Sequence, residues 1–205
     1  MLGFVVNYPV PVPWNLTTDE AEDLIQSVSP FVSTCMVTGG STETVVDLAN
    51  IVQPNVVQLH YQESLAEINE ITWELNRKGI KIVKALRIDQ NGKCNFEITD
   101  PILAAKELSK TGISAILVDS YTESRTGGTG VMVNTSTFKM IQQGSTVPVI
   151  LAGGLNPNNI YSLIKDLQPY AVDVLTGVEE KPGKKDEVRT RQFIKSVRMA
   201  KLSGK

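Results

Sequence analysis

Short apolar runs recur along the chain at residues 2–6, 32–37, 56–59, 80–86, 115–119, 147–151 and 171–175. Each is mostly continuous in Val, Ile and Leu rather than alternating, the pattern of parallel strands whose outer face is covered. Between them lie longer stretches with apolar residues at helical spacing, which predict helices over 18–28, 41–52, 64–77, 100–110, 135–143, 157–167 and 187–201. The first opens on a Thr-Thr-Asp-Glu cap signal at Thr17 to Glu20. In the second, Val45, Leu48, Ala49 and Val52 share a face, and in the third Leu65, Ile68, Ile71, Trp73 and Leu75 supply the apolar positions, with Gly79 beyond its end.

Seven strand-helix units in series, with no change in composition between them, predict one α/β domain over residues 1–205. Strict alternation means a parallel sheet, either doubly wound or closed as a barrel. A closed (β/α)8 barrel of the TIM type needs eight units. The chain is one short.

Composition narrows the classes. Of 205 residues 41% are hydrophobic and 20% charged, with a net charge of -2. That is too apolar for a disordered chain, and no run reaches the roughly 20 residues needed to cross a bilayer. The sequence pI near 5.5 argues against a nucleic-acid partner. His60 is the sole histidine and the two cysteines form no CxxC pair, so the usual zinc ligand sets are lacking. No GxSxG elbow is present. The expected setting is reducing and cytoplasmic, without a membrane partner. Cys35 reads as a small buried strand residue, and Cys94 as part of a polar connection away from the strand ends.

Polar residues gather where strands give way to helices, the functional rim of parallel α/β folds. The run Leu151-Ala152-Gly153-Gly154-Leu155-Asn156-Pro157 takes a strand into two glycines, with Pro157 where a helix could start. Glycines there let backbone N–H groups approach an anion; taken alone, the run fits a phosphate cradle or a ligand-free tight turn equally. Asp173 to Glu179 is again a strand running into a small loop, with Thr176 and Gly177. Barrels commonly hold phosphate on the loops after their last two strands, so the pair favours a phosphorylated small-molecule ligand. Gly127-Gly128-Thr129-Gly130 lacks the continuation of a P-loop and fits a flap over the site or an ordinary loop. Asp119 ends a buried strand, where it can serve as a general acid or cap the next loop. Lys84 and His60 occupy corresponding strand ends, where each is either a surface residue or part of a polar ring with Asp119.

In order, Val57-Gln58-Leu59-His60, Ile82-Val83-Lys84-Ala85, Leu117-Val118-Asp119, the glycine run around Gly128, the Gly153-Gly154 turn, the Asp173 to Glu179 segment and Pro182-Gly183-Lys184-Lys185-Asp186 resemble the phosphoribosylanthranilate isomerase family of tryptophan biosynthesis. The resemblance runs over nearly the whole chain. It implies a (β/α)8 barrel with the first unit missing, and an intramolecular oxidoreductase that converts N-(5'-phosphoribosyl)anthranilate to 1-(2-carboxyphenylamino)-1-deoxyribulose 5-phosphate by an Amadori rearrangement, with no metal or organic cofactor. It further implies Asp119 as general acid, His60, Lys84, Asp173 and Gly128 as substrate contacts, and Gly153, Gly154, Thr176 and Gly177 as phosphate contacts, in a monomer or homodimer.

Two departures accompany the resemblance. The family's base is a cysteine at the end of the first strand, in a Lys-Ile-Cys-Gly type of motif that this sequence lacks. The loop after the second strand usually carries an arginine suited to the anthranilate carboxylate; the corresponding residues 7–16 have none, and Trp14 there either stacks on an aromatic ring or covers the rim. Two accounts of the missing unit follow: Met1 is an internal methionine of a longer protein, the preferred account because an open barrel exposes strand edges, or the shortening is genuine and the chain lacks isomerase activity. The alternative functions are a non-catalytic phosphate-ligand-binding barrel and an isomerase or epimerase of another phosphosugar.

Overall fold

The computed structural model describes residues 1–120 and 134–202. Seven strands form one sheet in chain order: β1 (Leu2–Val5), β2 (Thr34–Thr38), β3 (Val56–Leu59), β4 (Lys81–Ile88), β5 (Ala115–Ser120), β6 (Val149–Leu151) and β7 (Ala171–Val172). Every neighbouring pair is parallel, so all seven C-terminal ends lie along one rim. Helices α1 (Thr18–Gln26), α2 (Thr42–Val52), α3 (Leu65–Asn76), α4 (Pro101–Leu108), α5 (Thr135–Gly144) and α6 (Ile160–Leu167) join successive strands, and α7 (Glu187–Leu202) follows the last. Among the described residues β1 pairs only with β2 and β7 only with β6, so the sheet keeps two free edges. It is nevertheless curled, because residues of β1 and β7 line one common cavity.

Local chemistry explains the boundaries. Thr17 and Ser64 each form a reciprocal capping box with the glutamate three residues on, and Asp100 caps α4 with Pro101 in its first turn. Side chains alternate across the sheet. On β4, Ile82, Leu86 and Ile88 join the large core between strands and helices, whereas Val83 and Ala85 face inward with Ala115, Leu117, Ile150 and Ala152. These inner-face residues are apolar, and Gln58, His60, Asp119 and Asp173 bring polar groups to the C-terminal rim.

Three details differ from the pattern read in the sequence. The sixth helix starts at Ile160, not Pro157, because Asn156 and Asn159 fold the intervening residues into a turn: Asn158 N–H donates to Asn156 Oδ1 (2.9 Å) and Asn156 N–H to Asn159 Oδ1 (2.9 Å). The last strand is regular only at Ala171–Val172; beyond it a 3-10 turn (Thr176–Val178) leads into an antiparallel hairpin, β8 (Glu179–Lys181) and β9 (Lys184–Lys185). Cys94 does not lie away from the strand ends. It is buried and bridges Ile88, the last residue of β4.

Candidate active site

The rim encloses a cavity of about 690 Å³ that runs from the mouth of the sheet to the seam between β1, β7 and α7. Asp119, His60, Asp173, Gly153, Gly154, Thr176 and Gly177 all line it. The turns after β6 and β7 are pressed together: a Cβ built on Gly177 would overlap the Leu155 carbonyl oxygen. Gly153 adopts φ +81°, and a Cβ there would stand 2.8 Å from Ser120 N and 2.9 Å from Asp119 Oδ1. Its lack of a side chain therefore serves both the turn and the close approach to the strand that carries Asp119.

Asp119 is four-fifths buried. Its Oδ1 accepts the Ser120 N–H (2.8 Å), and its Oδ2 lies 3.4 Å from His60 Nε2. His60 is held from two sides: Gln58 Nε2 lies 3.0 Å from its Nδ1, and the Tyr8 hydroxyl donates to its carbonyl (2.8 Å). Burial pushes the Tyr8 phenol above its usual range, against the opposing pull of the Arg87 charge.

Asp173 faces the same space. Solvent reaches its surface inside the cavity, but protein surrounds it, and this desolvation raises its carboxyl above the usual range. The Asp119 charge adds to the rise, while His60 and Lys185 oppose it. The folded chain thus holds this proton to a higher pH than the unfolded chain. Below the carboxylate range both states are protonated and Asp173 contributes nothing; as pH rises through that range folding is progressively penalised, and above the folded-state pKa the penalty is complete. Asp173→Asn is therefore expected to raise the melting temperature near neutral pH, with the difference closing toward about pH 3 in thermal scans. An equal gain at both ends would remove ionisation as its cause.

Lys84 does not line the cavity. It has the outward parity of Ile82 and Leu86 and pairs in register with Leu59. Its ammonium, 1% exposed, meets Glu63 Oε2 and donates to the Tyr61 carbonyl (2.9 Å). Burial lowers its pKa against the pull of Glu63. The cation of inward parity at the C-terminal end of β4 is Arg87, in register with Asp119 and buried. Strand parity was the available signal: Lys84 and Arg87 are an odd number of residues apart, so only one can face the site. Gly128 lies outside the described residues.

The same parity marks Gln58, two residues before His60, as a site residue. Tyr8 and the Trp14–Glu179 contact had no local signal, because each depends on loops brought together by the fold. Trp14 lines the cavity and its indole N–H donates to Glu179 Oε1 (3.1 Å), linking the loop after β1 to the hairpin after β7. Lys185 also engages Glu179 (2.7 Å). Neither cysteine offers a thiolate, since burial pushes both the Cys35 and Cys94 thiols up to about 12.

A curled parallel sheet with a carboxyl, an imidazole and two glycine turns converging at its C-terminal rim defines a protein of the β/α-barrel type, with its site on that rim. A family model for N-(5'phosphoribosyl)anthranilate (PRA) isomerase matches residues 14–196. The chain is 35% identical over 202 residues to the N-(5'-phosphoribosyl)anthranilate isomerase of Methanosarcina acetivorans, covering 96% of this chain and 83% of that one. It is 34% identical over 203 residues to the Methanocaldococcus jannaschii enzyme, covering 96% and 87%. Among solved structures it resembles phosphoribosyl anthranilate isomerase from Thermotoga maritima (TM-score 0.77, 29% identity, 96% and 87% covered). It also resembles a phosphoribosyl anthranilate isomerase in complex with reduced 1-(o-carboxyphenylamino)-1-deoxyribulose 5-phosphate (TM-score 0.74, 28% identity, 96% and 86% covered). The chain belongs to the phosphoribosylanthranilate isomerase family.

Proposed function

We propose that this chain catalyses the family's reaction, the Amadori rearrangement of N-(5'-phosphoribosyl)anthranilate to 1-(2-carboxyphenylamino)-1-deoxyribulose 5-phosphate. The observation that carries the reading is the convergence of Asp119 and the two glycine turns on one cavity. Gly153, Gly154, Thr176 and Gly177 bind the phosphate, which fixes the ribose over the carboxyls of Asp119 and Asp173. Asp119, as general acid, gives its proton to the ribose ring oxygen, so that the C1'–O bond breaks as the nitrogen lone pair forms the protonated imine. A rim carboxylate, Asp119 once ionised or Asp173, then takes the C2' proton to give the enolamine, and protonation at C1' with loss of the C2' hydroxyl proton gives the ketose. His60 supports Asp119, and Val12 and Trp14 offer an apolar wall to the anthranilate ring. The protein acts as a single α/β domain in the cytoplasm, as a monomer or homodimer, on this phosphorylated small molecule and without nucleic-acid or membrane partners.

The test follows the fluorescence of phosphoribosylanthranilate prepared in situ, with chromatographic separation of the isomeric product. Purified protein is expected to accelerate conversion in proportion to its concentration. Binding of inorganic phosphate by a folded protein that leaves the substrate's spontaneous decay unchanged would overturn the isomerase reading in favour of a ligand-binding barrel.

A further inference from the structure

His60 is the only histidine in the chain, and its two ring nitrogens face different partners along one inward row of β3 and β5. Gln58 and His60 are two residues apart, hence on the same face. Gln58 is buried at 6% exposure, and its amide nitrogen lies 3.0 Å from His60 Nδ1. An amide nitrogen can only donate, so Nδ1 accepts, and the neutral ring carries its proton on Nε2. That nitrogen lies 3.4 Å from Asp119 Oδ2, while Oδ1 is already engaged by the Ser120 N–H. The Tyr8 hydroxyl on the His60 carbonyl, with its ring edge-on to the imidazole at 6.5 Å, limits how far the residue can shift.

We propose that Gln58 is a positioning residue for the reaction: it fixes the His60 tautomer so that an Nε2–H donor always faces the Asp119 carboxyl. The inference rests on the role of Asp119 as acid in the isomerase reading above. When Asp119 releases its proton to the ribose, charge develops on its oxygens, and a donor aimed at that charge becomes stronger as the transition state is reached. The opposite tautomer would present a bare nitrogen lone pair to the same carboxylate and repel it. The contact is long in the free protein, as pre-reaction hydrogen bonds often are, and is expected to shorten around bound ligand.

Because there is one histidine, long-range 15N–1H correlation spectra of the intact protein read its ring without ambiguity. The wild type is expected to show a protonated Nε2 and an unprotonated Nδ1. Gln58→Leu removes the donor, so a population with the proton on Nδ1 should appear and kcat fall about tenfold, the worth of one hydrogen bond, with KM little changed. Gln58→Glu keeps the shape and reverses the polarity: a carboxylate can only accept, so Nδ1 is expected to become protonated and kcat to fall despite an isosteric fit. A merely structural glutamine would lower the melting temperature in the leucine variant and leave the ring pattern of the glutamate variant as in the wild type. A wild-type ring protonated at Nδ1, or unchanged kcat in both variants, would overturn the assignment. The expected ring pattern in a wild type that shows no turnover would instead overturn the isomerase reading while supporting the tautomer assignment.

Discussion

Asp119→Asn is expected to lower kcat by about 10²- to 10⁴-fold, the range for removing a general acid or base, while KM changes little. The substitution keeps the shape of the side chain, and its carbonyl oxygen can still accept the Ser120 N–H that now binds Oδ1. What it removes is the transferable proton. Ground-state binding should survive because the turns around Gly153 and Gly177 are built from backbone and do not depend on the carboxyl. Loss of kcat at constant KM is the signature of an interaction made only in the transition state. The amide also places a donor opposite His60 Nε2, so the 15N spectrum of the ring should shift in the same variant. Steady-state kinetics with calorimetric titration of the product separates the two contributions. A variant that keeps more than a tenth of wild-type turnover would mean that another group opens the ring.

The repeating part of this architecture was legible in the chain because each unit is specified locally. Continuous Val, Ile and Leu runs predict buried strands, and capping signals such as Ser64 with Glu67 close the helices between them. The strand at 56–59 is found at Val56–Leu59 and the second helix at Thr42–Val52, each within one residue of its predicted bounds. Where the pattern failed, a long-range or side-chain contact had overridden it. The asparagines around Pro157 make a turn in place of the first helical residues. Glu179, drawn in by Trp14 and Lys185, anchors a hairpin that no apolar run announces. At the rim, strand-end position was enough to place Asp119, His60 and Asp173 on the cavity wall, since all three share the inward parity. It was not enough for Lys84, because a strand has two faces and a register of one residue reverses them.

Lys84 accordingly carries the largest stability prediction. Its ammonium and the carboxylate of Glu63, in the loop after β3, are both almost completely buried, at 1% and 0% side-chain exposure. Among the described residues Glu63 Oε1 has no hydrogen-bond partner, so the carboxylate depends on Lys84 for its compensation. Lys84→Met would leave that charge buried alone, and removing one partner of a buried pair costs about 3–5 kcal/mol. For a chain of this size the melting temperature should fall on the order of 10 °C. Replacing both ends, Glu63→Leu with Lys84→Met, removes the stranded charge and should recover most of the loss, since apolar residues of similar volume often match a buried ion pair. Gly39 backs the same cluster, because a Cβ there would collide with Tyr61 and Glu63, leaving the pair little room to rearrange around a deletion. Thermal scans on the two single variants and the double variant measure the coupling directly. A substrate contact would behave in the opposite way: Lys84→Met would raise KM sharply with its melting temperature intact, and that result would return Lys84 to the wall of the active site.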